Sequence, residues 1–124
     1  MPELLYKDES YLLIGICMEV HRYLGVGFKE AVYKDALELE FLHNSIPFSK
    51  ETKFLIEYKG VNLKHNYRAD FIVFDCIILE VKSSAFIIDW HIAQAINYLK
   101  SSRLQLAIVA NFGERSFTFR RLIF

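Results

Sequence analysis

A near-continuous apolar run from Leu104 to Ala110 most narrows the folds that this chain can adopt. Strands with one face in water alternate apolar and polar residues, so this run predicts a strand that is buried on both faces. Two stretches with helical spacing and three β-rich stretches come earlier in the chain, and a third helical stretch directly precedes the run. We therefore predict an α/β sandwich with the order α-α-β-β-β-α-β-β, without internal repeats, linkers or low-complexity segments.

Two helices are predicted before the sheet. The first extends from Asp8 to Leu24, with Asp8 or Ser10 able to cap it, and the glycines that follow end it. The second extends from about Lys29 to His43. We expect the inward face of this second helix to consist of Val32, Tyr33, Ala36, Leu39 and Leu42. The outward face would consist of Lys34, Glu38 and Glu40.

The β-rich part of the chain begins after Pro47. Its first three strands, separated by Gly60 and by Asp75-Cys76, are typical of a meander. The predicted segments are residues 54–58, 67–74 and 77–82 for these strands, 88–100 for the third helix, and 104–110 and 117–123 for the last two strands.

The length and composition predict one hydrophobic core in one domain, residues 1–124, because 53% of the 124 residues are hydrophobic. With 15 Lys and Arg against 15 Asp and Glu, no overall positive field indicates a nucleic-acid partner. The charges are unevenly distributed, however: residues 1–44 hold 4 basic and 8 acidic side chains, and residues 45–124 hold 11 and 7. One face of the molecule could therefore still attract phosphate.

Segments that would direct the chain to a membrane or out of the cell are not apparent. The apolar stretch Tyr11–Met18 is far too short to span a bilayer, so no membrane partner is expected. Acidic residues, Glu3 among them, stand where a secretory signal carries basic ones, and a cytoplasmic location is expected. Cys17 and Cys76 lack metal-ligand spacing, which predicts reduced, structural thiols.

Charged residues interrupt two neighbouring predicted strands. Alternation places Glu80 and Lys82 on one face of the apolar strand Ile77–Lys82, and Asp70 interrupts the strand before it. Buried charges cost several kcal/mol unless they are paired, solvated or compensated by a metal ion. Two acids and a lysine suit a hard cation, with carboxylate ligands for Mg²⁺ and an ammonium beside the attacking water or the phosphate. A structural ion pair at a sheet edge is the alternative.

The register of these strands decides whether Asp70 shares a face with Glu80 and Lys82. A two-residue turn at Asp75-Cys76 would place Asp70 opposite Val81, on the other face. A joint metal site therefore requires an odd-length connection or a bulge, and we predict one of them. A three-residue turn of residues 75–77, for example, would set Asp70 against Lys82.

The segment Gly27–Tyr33 supplies a third carboxylate. With Gly27 as the N-cap, Glu30 would be the third helical residue, able to bond the cap N–H and to meet the positive end of the helix dipole. An ionised carboxylate there would equally suit an outer metal ligand, with Tyr33 packed or hydrogen-bonded beside it. The sequence leaves both roles open.

Together these residues resemble the GxxExxY proteins of the PD-(D/E)XK nuclease superfamily, over nearly the whole chain. The matching segments are Gly27-x-x-Glu30-x-x-Tyr33, Arg68-Ala69-Asp70, Glu80-Val81-Lys82, Gln94-x-x-Asn97-Tyr98-Leu99 and Asn111-Phe112-Gly113. The resemblance implies a restriction-endonuclease-like α/β/α sandwich with a mixed sheet. It also implies a centre dependent on Mg²⁺ or Mn²⁺ that hydrolyses phosphodiester bonds of nucleic acid. The resemblance does not distinguish DNA from RNA, and of the two we expect DNA as the partner.

The resemblance further implies roles for five residues. Asp70 and Glu80 match the metal ligands, and Glu30 matches the helix acid that adds an outer ligand. Lys82 matches the residue that orients water or stabilises charge, and Gln94 matches a helper on the third helix. We expect Glu30, Asp70, Glu80 and Lys82 to converge in space.

Three residues depart from the family pattern: Val26 and Phe28 replace the usual proline and leucine, and Ala69 replaces the superfamily's proline. Two other functions stay open. A module that binds nucleic acid or protein could keep the fold and the charged cluster without turnover, and Glu30 with Glu80 could act as acid and base on a glycoside. A small neutral domain with few phosphate contacts could also need a partner or a homodimer for affinity.

Overall fold

A computed structural model of the protein describes residues 4–124, so Glu3 lies outside the described range. Three helices and five strands follow one another in the predicted order. They are α1 (Lys7–Leu24), α2 (Glu30–His43), β1 (Phe48–Tyr58), β2 (Val61–Val73), β3 (Ile77–Lys82), α3 (Asp89–Ser102), β4 (Leu106–Asn111) and β5 (Thr118–Ile123).

The five strands form one mixed sheet in the order β1-β2-β3-β4-β5. The strands β1, β2 and β3 form the predicted antiparallel meander. β3 and β4 are parallel, connected through α3, and β5 returns antiparallel to β4. All six residues of β4 are buried, which confirms the expectation drawn from its apolar run.

Helices cover both faces of the sheet. The first core cluster joins α1 and α2 to the odd-numbered residues of β3 through buried side chains such as Leu13 and Leu37. The second cluster joins Ala95 and Leu99 of α3 to the opposite face, where Ile78 points. The predicted α/β/α sandwich and the predicted alternation within β3 are therefore confirmed.

The inward face of α2 was predicted incorrectly at three positions. Tyr33, Leu37 and Phe41 are buried, whereas Val32, Leu39 and Leu42 are exposed. Apolar residues surround most of this helix, so periodicity alone could not choose between the possible faces. The sheet contacts only a narrow stripe with a spacing of four residues.

The predicted starts of two helices and two strands also need correction. α1 is preceded by Tyr6 as its N-cap residue, so neither Asp8 nor Ser10 caps it. α2 begins at Glu30, with Lys29 as its cap residue in place of Gly27. β1 and β2 each begin six residues earlier than predicted. The added residues of β2 extend the hairpin into solvent, whereas those of β1 pair with residues 68–73 of β2. Both added segments are largely polar, so no apolar pattern marks them as strand.

The connection between β2 and β3 has the predicted odd length. Val73 pairs with Ile77, leaving the three-residue turn Phe74-Asp75-Cys76. Our suggested turn of residues 75–77 is wrong by one position, because the Phe74 N–H donates to the Pro47 carbonyl (2.9 Å) and so leaves the β2–β3 ladder early. Continued by one step, the register would set Asp70 opposite Glu80, not Lys82.

Both cysteines are free thiols. Complete burial raises the pKa of Cys17 to about 12, so the thiol stays protonated and packs as a small apolar group. Within residues 4–124, no helix combines the length and apolar character needed to cross a membrane.

Candidate functional site

Asp70 lies where β2 and β3 separate. The paired residues of these strands end at Phe71 and Leu79. Beyond that point, the Val81 N–H of β3 donates to Oδ2 of Asp70 (2.8 Å), so the carboxylate lies between the two strands.

The alternation of side chains along β2 is interrupted at Asp70. Ala69 and Ile72 both pack in the cluster beneath α3, whereas Phe71 packs in the cluster beneath α1 and α2. Strict alternation would place Ala69 with Phe71. On the neighbouring strand, Glu51 has a left-handed backbone (φ 53°) between the Lys50↔Phe71 and Thr52↔Ala69 pairs. The hairpin is therefore distorted at this point, and Asp70 does not follow the regular face alternation that the predicted site assumed.

Glu80 is the buried acid of the site. It lies on the α3 face of β3 with only 5% of its surface exposed, and among the described residues its Oε1 atom has no hydrogen-bond partner. Burial, and next the negative charge of Asp70, raises the pKa of Glu80 to about 9. Desolvation is the larger of these two causes, and repulsion between the carboxylates is the smaller. Near neutral pH the metal-free protein therefore holds a proton on Glu80.

Lys82 and Gln94 form a second pair at the end of β3. The Lys82 ammonium donates to Oε1 of Gln94 on α3 (3.1 Å). Gln94 is half-buried and fixes a lysine that stands two residues beyond Glu80 on the same face of the strand. Gln94 is therefore hydrogen-bonded to the charged cluster and is not a free surface amide.

Three loops meet at this end of the sheet. The Tyr33 hydroxyl donates to the Gly25 carbonyl (2.5 Å), and its ring stacks on Phe112 after β4 (4.8 Å between centroids). The Ser83 hydroxyl, directly after Lys82, donates to the Phe28 carbonyl (2.8 Å). These contacts hold the start of α2 beside the end of β3.

Glu30 stands at the start of α2 and is exposed. It is the first helical residue, so the predicted capping box with Gly27 does not form, and in residues 4–124 it makes no hydrogen bond or ion pair to Asp70, Glu80 or Lys82. Its charge nevertheless acts on His91. Burial and then Lys82 lower the pKa of His91, and Glu30 opposes them. His91 Nδ1 accepts the Ile88 N–H (3.3 Å), so this histidine caps the start of α3.

The chemistry of these groups fits a hard cation. Within the described range, no three His, Cys, Asp or Glu side chains come together as a complete metal cage. Asp70 and Glu80 offer two carboxyl groups, and the buried Oε1 atom of Glu80 accepts no hydrogen bond from any of residues 4–124. Mg²⁺ is commonly held by one or two carboxylates, with water and substrate phosphate as the other ligands, and these residues fit that pattern.

Sequence reasoning missed Lys34, which was expected on the solvent face of α2. Its ammonium donates to Oδ1 of Asp70 (3.0 Å) and to Oε1 of Glu51 (3.1 Å). Burial alone would lower the pKa of Lys34, but the hydrogen bonds and charges of Asp70 and Glu51 raise it overall. The available signal was its position one turn after Glu30 on the same helix.

Sequence reasoning also left Asn111 without a role beyond the family pattern. This buried residue ends β4, where its side chain accepts the Ser84 N–H (3.1 Å) and donates to the Ser84 carbonyl (2.9 Å). It also accepts the Gly113 N–H (3.1 Å). Asn111 thereby fixes the loop that follows Lys82, and a polar residue at the end of an apolar strand was the signal for it.

Replacing Lys34 by Met should lower the free energy of unfolding by about 1–3 kcal/mol, because the half-buried Asp70 side chain would lose the cation that pairs with it. Urea unfolding at neutral pH measures the change. Lys50→Met is the matched control, since Lys50 pairs with Glu38 at a more exposed surface and should cost less than about 0.5 kcal/mol. Equal losses for the two variants would contradict a special role of the Lys34–Asp70 pair.

Comparisons with known proteins agree with this geometry. The crystal structure of SSO0001 superposes with a TM-score of 0.59 at 20% sequence identity, over 75% of this chain and 48% of that one. This chain therefore spans about half the length of that protein, and the similarity shows a shared fold. A comparison with curated proteins found no significant match.

A family model described as the PD-(D/E)XK nuclease superfamily matches residues 7–122. The match includes all five of the predicted site residues and, except for Ile123 at the end of β5, the whole sheet. The sandwich is thus restriction-endonuclease-like, and the chain belongs to the PD-(D/E)XK nuclease superfamily.

Proposed function

We propose that this protein is a Mg²⁺-dependent nuclease that hydrolyses phosphodiester bonds of nucleic acid. The observation that carries this proposal is the buried, unpartnered oxygen of Glu80 beside Asp70, at the point where β2 and β3 separate. The raised pKa shows that an ionised Glu80 is costly without a partner, and a divalent cation is the partner that would compensate the ionised form. Membership of a nuclease superfamily supports phosphodiester hydrolysis over the glycoside alternative.

We assign the roles as follows. Asp70 and Glu80 would hold the ion, which when bound supplies Lewis-acid polarisation of the phosphate and lowers the pKa of water. Lys82, held by Gln94, would stabilise negative charge that develops on the phosphate. Lys34 would orient the Asp70 carboxylate through its hydrogen bond, and Glu30 would act as an outer ligand from the start of α2.

Several finer points belong to the same proposal. The segment from Gly27 to Tyr33 supports placement in the GxxExxY family, and we propose DNA rather than RNA as the substrate. Free thiols at Cys17 and Cys76 support a reducing, cytoplasmic location. A homodimer would add the phosphate contacts that a small neutral chain lacks.

Incubation of the full chain with plasmid DNA tests the proposal. We expect cleavage with MgCl₂ or MnCl₂ and none in EDTA, and we expect Asp70→Asn to reduce the rate by at least about a hundredfold. Asp8→Asn is the control, because Asp8 is an exposed residue in the first turn of α1. Cleavage in EDTA, or equal rates for Asp70→Asn and the wild type, would remove the metal-dependent mechanism.

The second candidate is a catalytically silent binding module on the same fold. The Lys34–Asp70 ion pair favours it, since that pair already compensates Asp70 without a metal ion. This candidate predicts nucleic-acid binding that persists with Mg²⁺ or Mn²⁺ present but with no products over many hours. Product formation that depends on Asp70 would exclude it.

A further inference from the structure

A groove beside the candidate site lies between α3 and the β1–β2 hairpin. Its volume is about 460 Å³, within the range of small-molecule sites. Its aromatic, amide and cationic lining residues are Tyr67, Trp90, Gln94, Asn97, Tyr98 and Lys100. Gln94 connects the groove with the candidate site, because it lines the groove and accepts a hydrogen bond from Lys82.

Aromatic rings line this groove in a fixed arrangement. Tyr98 stacks on Tyr67 with centroids 3.8 Å apart and planes 1° apart, and Tyr67 stacks on Phe54 in turn (5.2 Å). The Tyr67 hydroxyl donates to the Tyr98 carbonyl (2.7 Å), which holds the stack against α3. Trp90, by contrast, is 73% exposed at the groove. A large exposed aromatic side chain next to a stacked aromatic wall is suited to a flat ligand.

Polar groups follow the same face of α3. Trp90, Gln94 and Asn97 are spaced four and three residues apart, so the two amides lie in line with the indole. Further along the helix, Lys100 lines both this groove and an adjoining cavity of about 340 Å³. That cavity also contains Arg103 and one acid, Glu57. The groove therefore offers aromatic faces, then amides, then two cations at its far end.

We propose that this groove binds an unpaired base of single-stranded or locally opened nucleic acid. Trp90 stacks on the base, the amides of Gln94 and Asn97 hydrogen-bond its edge, and Lys100 and Arg103 lie toward the backbone phosphates. A paired base inside a duplex hides both faces, so the groove selects unpaired over paired substrate. The inference rests on the proposed function in taking nucleic acid as the substrate, and it adds the substrate class.

The chain contains one tryptophan, so fluorescence excited selectively at tryptophan, outside the tyrosine absorption band, reports on Trp90 alone. We would titrate the full chain in EDTA, where turnover is stopped, with oligothymidylate and oligouridylate of about 12 nucleotides and with a blunt duplex of equal length. Both single strands should quench the fluorescence. They should also bind at least about tenfold more tightly than the duplex, measured by anisotropy of labelled strands.

Substitutions then distinguish the contribution of base stacking on Trp90 from the general affinity of the protein for nucleic acid. Trp90→Ala should weaken single-strand binding by about tenfold to a hundredfold, while Trp90→Phe should retain most of it. Tyr23→Ala, at an 87% exposed aromatic residue of α1, should bind like the wild type. Unchanged thermal melting of the Trp90 variants would show that they fold. Absent quenching, duplex binding as tight as single-strand binding, or wild-type affinity in Trp90→Ala would each overturn the inference.

The experiments distinguish a failure of the nuclease proposal from a failure of the groove proposal. Quenching by single strands without any metal-dependent cleavage would support the groove and overturn the nuclease. Asp70-dependent cleavage without quenching would support the nuclease and overturn the groove. Quenching by only one of the two single strands would support the groove and would show whether its edge contacts prefer thymine in DNA or uracil in RNA.

Discussion

Replacing Glu80 by Gln should make the protein more stable at pH 8 than the wild type. The pKa of Glu80 is raised from 4.5 to about 9 in the folded protein, so the folded state keeps a proton that the unfolded chain loses. The stability associated with this protonated group is complete below pH of about 4.5 and is lost as the pH rises towards about 9. Gln has no charge at any pH, so we expect a gain of about 4–5 kcal/mol at pH 8.

Urea unfolding at pH 5 and at pH 8 measures this effect. The wild type should lose stability between the two values because of Glu80, and the variant should show a flatter dependence on pH. Glu57→Gln is the matched control, since Glu57 is exposed on β1 and the substitution should leave the pH dependence as in the wild type. A Glu80→Gln variant less stable than the wild type at pH 8 would show that Glu80 is stabilised as an anion by contacts within the protein.

The same variant should lose divalent-ion binding. A cation that binds Glu80 must displace its proton, so Mn²⁺ or Mg²⁺ should release about one proton from the wild type near neutral pH. Calorimetry in two buffers with different ionisation heats detects that proton as a difference in the observed heat. Identical titrations of the wild type and Glu80→Gln would remove Glu80 from the ligand set.

Gly113→Ala should cost about 3 kcal/mol or more and could prevent folding. A Cβ atom at this position would lie 2.7 Å from the Ser83 carbonyl carbon and closer still to the backbone N and O atoms of Ser84. Asn111 holds the backbone of Ser84 with two hydrogen bonds, so this backbone has little freedom to move away. The loop after Lys82 would have to shift, which also disturbs the candidate site.

Thermal and urea unfolding of Gly113→Ala measure this loss. Gly15→Ala is the matched control, because Gly15 lies within α1 and its added methyl meets nothing within 4 Å. That control should gain about 0.5–1 kcal/mol from helix propensity alone. A Gly113→Ala variant as stable as the wild type would mean that the loop after β3 and the loop after β4 are not held together in solution.

Much of the architecture was predictable because it depends on local patterns. The apolar run of β4 requires burial on both faces, and the period-two pattern of Ile77–Lys82 sets which of its residues share a face. The odd number of residues in the β2–β3 connection was also predictable. Side chains alternate between the faces of a strand, so Asp70 and Glu80 could share a face only with an odd-length turn or a bulge between them. The location of that turn was off by one residue because it depends on a long-range hydrogen bond from Phe74 to Pro47.

The candidate site was only partly predictable. Family motifs drew attention to Asp70, Glu80, Lys82 and Gln94, which the structure brings together in pairs. The role of Lys34 lay outside those motifs, because a lysine on an amphipathic helix is ordinarily solvated and only the placement of α2 over Asp70 makes it a partner. The ligand role of Glu30 remains a prediction.

The sequence by itself determined the order of helices and strands, the burial of β4 and the face on which Glu80 and Lys82 lie. These features follow from the spacing of apolar residues, which acts over a few positions of the chain. Tertiary structure alone decided which stripe of α2 is buried, where the β2–β3 turn lies, and that Glu80 ends with a raised pKa and an unpartnered oxygen. Each of these depends on what distant segments remove from water or place within hydrogen-bond reach, and no local pattern records those distances.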